Sequence, residues 1–154
     1  MNINIISIGK FNNSLFKDSF LDYAKRLNWK IELKEIENKK SSNLSSQQNK
    51  IIEQELIFKN LRSDSYKIAL DERGQQFSSI EFAKFMQDKI LKSFKNIDFI
   101  IGGADGLGDK VLEMVGKKIS FGKMTFPHMM VRVLLIEQLY RSQTIIDGHP
   151  YHRQ

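Results

Sequence analysis

The chain has 154 residues, no cysteine, and 24 Lys and Arg against 18 Asp and Glu for a net charge of +6. One core of ordinary size is expected, disulfides and thiolate metal sites are excluded, and no apolar run approaches the length of a membrane span. The positive balance favours an anionic partner, nucleic acid before a membrane surface, although it is spread evenly and a solvated lysine-rich surface explains it as well: basic and acidic residues number 12 and 8 up to Leu70, then 12 and 10 beyond it.

In chain order, Ile3 to Ile8 reads as a buried strand that Gly9 ends, because β-branched residues crowd it. Leu15, Phe16, Phe20, Tyr23, Ala24 and Leu27 then fall at helical spacing, with Asn13 or Ser14 as N-cap. Lys30 to Ile36 is expected as a second strand. The polar run from Glu37 to Lys50 reads as a mobile surface loop before a helix whose apolar positions are Ile51, Ile52, Leu56 and Phe58. Tyr66 to Leu70 is a third strand, with a turn at Asp71 to Gly74. Ser78 and Glu81 form a capping box for a helix with Phe82, Phe85, Met86 and Ile90 on its buried face.

Ile97 to Ile101 is the fourth strand, and it runs directly into Gly102, Gly103, Gly106 and Gly108. A short helix from Lys110 to Val115, a short strand from Lys118 to Phe121 and a loop from Gly122 to Pro127 follow. His128 to Arg141 is a helix with apolar residues around nearly its whole circumference, so it is either central in the domain or shared with another subunit. Strands alternating with helices imply parallel βαβ units in an α/β sheet. Ligands of such sheets bind beyond the carboxyl ends of the strands, where Leu70-Asp71 and Ile101 to Gly103 could face one molecule.

The glycine turn fails the dinucleotide spacing from every starting glycine, and no Gly-Lys-Ser/Thr phosphate cradle is present. Asp105 and Asp109 would repel a phosphate, so the turn suits a neutral or cationic ligand held by backbone groups. His149-Pro150-Tyr151-His152-Arg153 concentrates two imidazoles, a phenol and a guanidinium, with too few further ligands nearby for a metal site. A tail docked over a pocket is the expectation. Arg132 and Arg141 interrupt the apolar helix; a lone Arg there is commonly a snorkelling side chain, and Arg141, at the helix end, is the better placed to reach an anion.

Four stretches together, LDERGQQFSSIEFAKFM (Leu70 to Met86), IDFIIGGADGLG (Ile97 to Gly108), MTFPHMMVRVLLIEQLYR (Met124 to Arg141) and HPYHR (His149 to Arg153), resemble the ribosomal RNA large-subunit methyltransferase H family. With INIISIGK at the start, the similarity covers essentially the full chain, least distinctly from Trp29 to Leu61. Ala104-Asp105 and Gln154 depart slightly from the familiar pattern.

The resemblance implies a SPOUT-type parallel-sheet α/β/α layered fold with a C-terminal trefoil knot. It implies a single domain whose knot and cofactor region begins near residue 70, and a cytoplasmic homodimer. It further implies S-adenosylmethionine as cofactor, S-adenosylhomocysteine as product and no metal. The expected reaction is N3-methylation of a pseudouridine in 23S ribosomal RNA within the assembled 70S ribosome. By analogy the cofactor lies among Leu70, Gly102, Gly103, Gly122, Lys123, Met124, Thr125, Phe126 and Pro127. An imide nitrogen is a weak nucleophile until its proton leaves, so a base or an anion-stabilising cation is needed. His128, Arg141, Tyr151, His152 and Arg153 are the candidates. A ribosome-binding factor without catalysis explains the charge but not the glycine turn, and a dinucleotide-dependent oxidoreductase fails on spacing.

Overall fold

The computed structural model describes residues 1–39 and 44–153. Five parallel strands form one sheet in the order β2-β1-β4-β3-β5: β1 (Asn2–Ile8), β2 (Lys30–Ile36), β3 (Tyr66–Gln76), β4 (Asn96–Ile101) and β5 (Lys117–Ser120). β1 and β4 are central, and their near-continuous apolar runs reflect burial on both faces. Helices cover the two faces, as an all-parallel sheet requires. α1 (Ser14–Arg26), α3 (Ser79–Leu91) and α5 (His128–Ile146) pack on one side, with Phe20, Phe82, Met86, Leu135, Ile136 and Leu139 against Ile3, Ile5, Ile68 and Phe99. α2 (Ser46–Asn60) and α4 (Asp109–Met114) pack on the other, with Ile57, Val111 and Leu112 against Ile6, Ile8, Ala69 and Ile100. The result is the expected three-layer α/β/α arrangement. Trp29, half-buried, packs against the first of these cores just before β2 begins. No helix among the described residues is long and apolar enough to cross a membrane.

Local signals explain most element starts. Asn13 caps α1 through its side chain, and Ser78 with Glu81 forms the expected capping box on α3. α2 has a capping box of its own, Ser45 with Gln48. The polar run expected as a loop therefore enters the helix at Ser46, and its residues 40–43 lie outside the described part.

Several expectations are corrected. β3 does not stop at a turn after Leu70. It continues to Gln76 through an irregularity in which Leu70 and Gln75 both pair with Ile119. The backbone of Gly74 lies so close to β5 that a Cβ there would stand 2.6 Å from the Ile119 main chain. On α2 the buried face is polar, Asn49, Glu53 and Gln54 with Ile57, while Ile51 is 52% exposed. On α3 the inner position goes to Lys89 rather than Ile90, and the Lys89 ammonium sits 4.3 Å from the Tyr66 ring centroid and 4.8 Å from that of Phe85.

α5 is longer than the sequence pattern suggests and is central in its layer, flanked by α1 and α3. Its most constrained side chain is Arg132, which is neither a solvent contact nor snorkelling but fully buried. Arg132 Nε donates to Ser7 Oγ at 2.7 Å, Nη1 to Glu35 Oε1 at 3.0 Å, and Nη2 to the carbonyls of Ile8 at 2.9 Å and Gly9 at 2.8 Å. The Phe11 ring lies 4.7 Å from the guanidinium carbon, and the Phe11 amide donates to the same Glu35 oxygen. Removing this side chain strands two strand-end carbonyls and leaves the Glu35 carboxylate with the Phe11 amide but without its paired guanidinium. Arg132→Ala is expected to destabilise the fold by about 3–5 kcal/mol, as breaking a buried, hydrogen-bonded charge pair does, read from urea unfolding monitored by circular dichroism.

Candidate functional site

A cavity of about 870 Å³ opens beyond the carboxyl ends of β3, β4 and β5. Leu70 to Arg73 of β3, Ile101 with the turn Gly102 to Leu107, Ile119 to Gly122, and Met124 to Pro127 form its walls, and His128, Val131 and Lys50 complete it. The two strand ends singled out from the sequence thus face one space. Of the cofactor candidates, Leu70, Gly102, Gly103, Gly122, Met124, Thr125, Phe126 and Pro127 line it; Lys123 does not. Asp71 was expected there beside Leu70; among the residues not foreseen were Lys50, Glu72, Arg73 and Val131. The continuation of β3 past Leu70 places two of these, Glu72 and Arg73, and Val131, one turn from Pro127 on a helix entering the site, was the one a periodicity argument could have found.

The glycines divide by what their missing side chains avoid. A Cβ on Gly103 would point away from the cavity, 3.0 Å from Ile8 Cγ2 and 3.2 Å from Glu53 Oε2. Gly103 is therefore required by packing behind the turn, and not by a ligand in front of it, as its position beside the cavity had suggested. The turn is closed by the Gly106 amide donating to the Gly103 carbonyl at 3.1 Å. Gly122 is the reverse case. Its φ of +141° disfavours other residues, and a Cβ there would meet no atom of the other described residues within 4 Å. Ser120 Oγ holds it, donating to its carbonyl at 2.7 Å and accepting from its amide at 3.1 Å.

His128 opens α5 at the edge of this cavity, and its Nε2 lies 3.0 Å from where a Gly9 Cβ would stand. Burial pushes its pKa below the ordinary value of 6.5, and the positive charge of Arg132 adds to the effect. The imidazole is held neutral, with a lone pair available to a proton donor.

The remaining candidates gather elsewhere. Gly148, at φ +68°, reverses the chain after α5, and the His149 amide returns to the Thr144 carbonyl at 2.8 Å. This folds the tail back onto its own helix. Tyr151 stacks edge-on against Tyr140 at 4.8 Å, with its hydroxyl 3.1 Å from Glu137 Oε1 and 3.3 Å from the Tyr23 hydroxyl. Arg141 Nε donates to the same Glu137 oxygen at 3.0 Å, its guanidinium carbon stands 4.7 Å from the Tyr151 ring centre, and His152 Nδ1 is 3.3 Å from its Nη1. The Glu137 hydrogen bonds hold Arg141 above its usual range, and burial pushes the Tyr151 phenol up so that it stays protonated. Arg153 is exposed. The tail is docked, but none of Arg141, Tyr151, His152 and Arg153 lines the cavity of its own chain. His128 and Arg141 share one helix, and its rise puts about 20 Å between them.

A family model described as "Predicted SPOUT methyltransferase" matches residues 1–152. Two relatives named ribosomal RNA large subunit methyltransferase H match end to end. That of Paramagnetospirillum magneticum is 42% identical over 99% of both chains, and that of Clostridium tetani is 40% identical over 99% of this chain and all of its own. The chain belongs to this family of SPOUT methyltransferases. A solved probable methylase family protein of Haemophilus influenzae shares the fold, with a TM-score of 0.57 over 99% of this chain and 70% of the other at 14% identity.

Because His128 has a lower pKa folded than unfolded, the unfolded chain takes up its proton first as pH falls. Stability contributed by neutral His128 is therefore present above about pH 6.5 and lost below it. In a proton NMR titration the His128 ring is expected to change below the ordinary value of 6.5, and His128→Gln is expected to flatten the acid limb of the thermal-stability profile.

Proposed function

We propose that the protein transfers a methyl group from S-adenosylmethionine to N3 of a pseudouridine in 23S ribosomal RNA, acting as a cytoplasmic homodimer on the assembled 70S ribosome. The observation that carries this reading is the cavity: in a SPOUT-family chain, backbone groups and apolar walls from three strand ends enclose about 870 Å³. Its composition fits that cofactor. Gly122 offers an open backbone surface, Leu70, Ile119, Phe126 and Val131 offer apolar contact, and Glu72 and Asp105 offer negative charge beside it, Asp71 being paired with Arg73. When bound there, S-adenosylmethionine supplies an electrophilic methyl group on a cationic sulfonium.

The chain's own residues divide the remaining work. Leu70, Gly102, Gly103, Gly122 and the loop from Met124 to Pro127 hold the cofactor, with Lys123 contributing only through the loop backbone. His128 is neutral beside the cavity and accepts the N3 proton, which must leave before the nitrogen can attack. Arg141 stays cationic and stabilises the imide anion. Tyr151 and His152 pack about that charge, and exposed Arg153 meets the RNA backbone. Reaction requires these groups within a few ångströms of one another, whereas one chain separates His128 from Arg141 by about 20 Å. A second subunit therefore supplies the tail. Half-buried Met129, Met130, Val133 and Leu134 on α5 give such a pair of chains an apolar contact. The family resemblance extends the reading to a C-terminal trefoil knot within the region that begins near residue 70.

The test is complementation. A chain lacking Tyr151 to Gln154 and a His128→Ala chain are each expected to lose methylation of ribosomes about 10²-fold or more, read as tritium transfer from labelled S-adenosylmethionine. Mixed and allowed to exchange subunits, they are expected to recover about one quarter of the wild-type rate, since half the dimers are mixed and each has one intact site. No recovery in a mixture proven to exchange would place the tail and His128 in one chain's site. Gly122→Val is expected to weaken cofactor binding about 10-fold or more by filling the open side of the cavity, with calorimetry as the readout.

A further inference from the structure

α2 backs the glycine turn with side chains that a helix seldom buries. Glu53 is 7% exposed, and its Oε2 is buried with no hydrogen-bond partner among the described residues. That atom would stand 3.2 Å from a Cβ on Gly103, on the side of the turn facing away from the cavity. Around it are the charge of Asp105 on the same turn, the Asn38 side chain, which hydrogen-bonds it, and Ile8 of β1. Asn49, one turn earlier on α2, donates to Asp105 Oδ2 at 3.5 Å, and Lys50 lines the cavity without pairing to Glu53.

A carboxylate enclosed in this way has a like charge near it and one oxygen without a donor, so ionisation is costly and the neutral acid is not. Burial, then Asp105, push its pKa up, opposed in part by Asn38. We propose that Glu53 is a positioning residue for the cofactor cavity: as the acid it packs behind Gly103 and sets the turn, and as the carboxylate it repels Asp105 and loosens that wall. This rests on the cavity being the S-adenosylmethionine site. The residue touches no reacting atom and acts only through the turn.

Glu53→Gln copies the acid and cannot ionise, whereas Glu53→Ala removes the support. Affinity for S-adenosylmethionine is measured by calorimetry from the ordinary carboxyl value of 4.5 up to about pH 8.5, with circular dichroism confirming that each variant is folded. Wild-type affinity is expected to fall about tenfold as pH rises, within the ordinary range of coupling between two sites. Glu53→Gln is expected to hold the low-pH affinity throughout, and Glu53→Ala to be weak at every pH. Parallel profiles for wild type and Glu53→Gln overturn the proposal, as does wild-type affinity in Glu53→Ala. The amide resonances of Gly102, Gly103 and Asp105 in the ligand-free protein supply a second reading. They are expected to shift with the titration of Glu53 and to stay fixed in Glu53→Gln; if they shift identically in both, Glu53 has no such role. A wild type that binds no S-adenosylmethionine at any pH refutes the cofactor site, and the amide shifts then decide the role of Glu53 in the turn.

Discussion

The site depends on a charge placed where a core would ordinarily hold none. At the carboxyl end of β1 the carbonyls of Ile8 and Gly9 emerge under α5, and Arg132 supplies their hydrogen bonds from within that helix. A guanidinium suits the position because its planar set of donors can serve a hydroxyl, a carboxylate and two carbonyls at once, which a lysine cannot. Such a pair adds little net stability compared with apolar packing of the same volume, but it permits only one seating of the helix. His128 stands one turn before Arg132, so fixing Arg132 also fixes the imidazole against Gly9 and the Met124 to Pro127 loop over the cavity.

The opposite wall is built differently. The glycine turn has almost no side chains with which to brace itself, and α2 braces it from behind. Glu53 reaches Gly103, and Gln54 lies 2.7 Å from where a Gly108 Cβ would be. A cradle that presents backbone to a ligand must be supported by polar groups, since its own amides and carbonyls need partners. One wall is thus held by a cation and the other by amides and an acid, and the cavity lies between them.

How far the letters disclosed this follows from the same physics. β1 and β4 were legible because burial on both faces leaves unbroken runs such as Ile3 to Ile8 and Ile97 to Ile101, and α3 because its capping box is a local signal. β3 past Leu70 was not: Asp-Glu-Arg-Gly has the composition of a turn, and only pairing with Ile119, distant in sequence, extends the strand. The faces of α2 and α3 misled wherever a polar residue is buried by its partners, Glu53 behind the turn and Lys89 among aromatic rings. Arg132 is the extreme case, since its partners lie on β1 and β2, far away in the chain. Gly102, Gly103 and Gly122 do line the cavity, but the sequence could not tell whose missing side chains face the open space and whose face the protein.

The placement of Trp29 has an optical consequence. It is the chain's single tryptophan and precedes β2, at the amino end of a parallel sheet whose carboxyl ends form the cavity. The length of a strand, about 20 Å, separates the indole from any ligand there. Packed against the α1, α3 and α5 layer, it reports that layer's integrity. Intrinsic tryptophan emission therefore follows unfolding while remaining nearly blind to occupancy of the cavity, so the two events can be recorded separately in one sample.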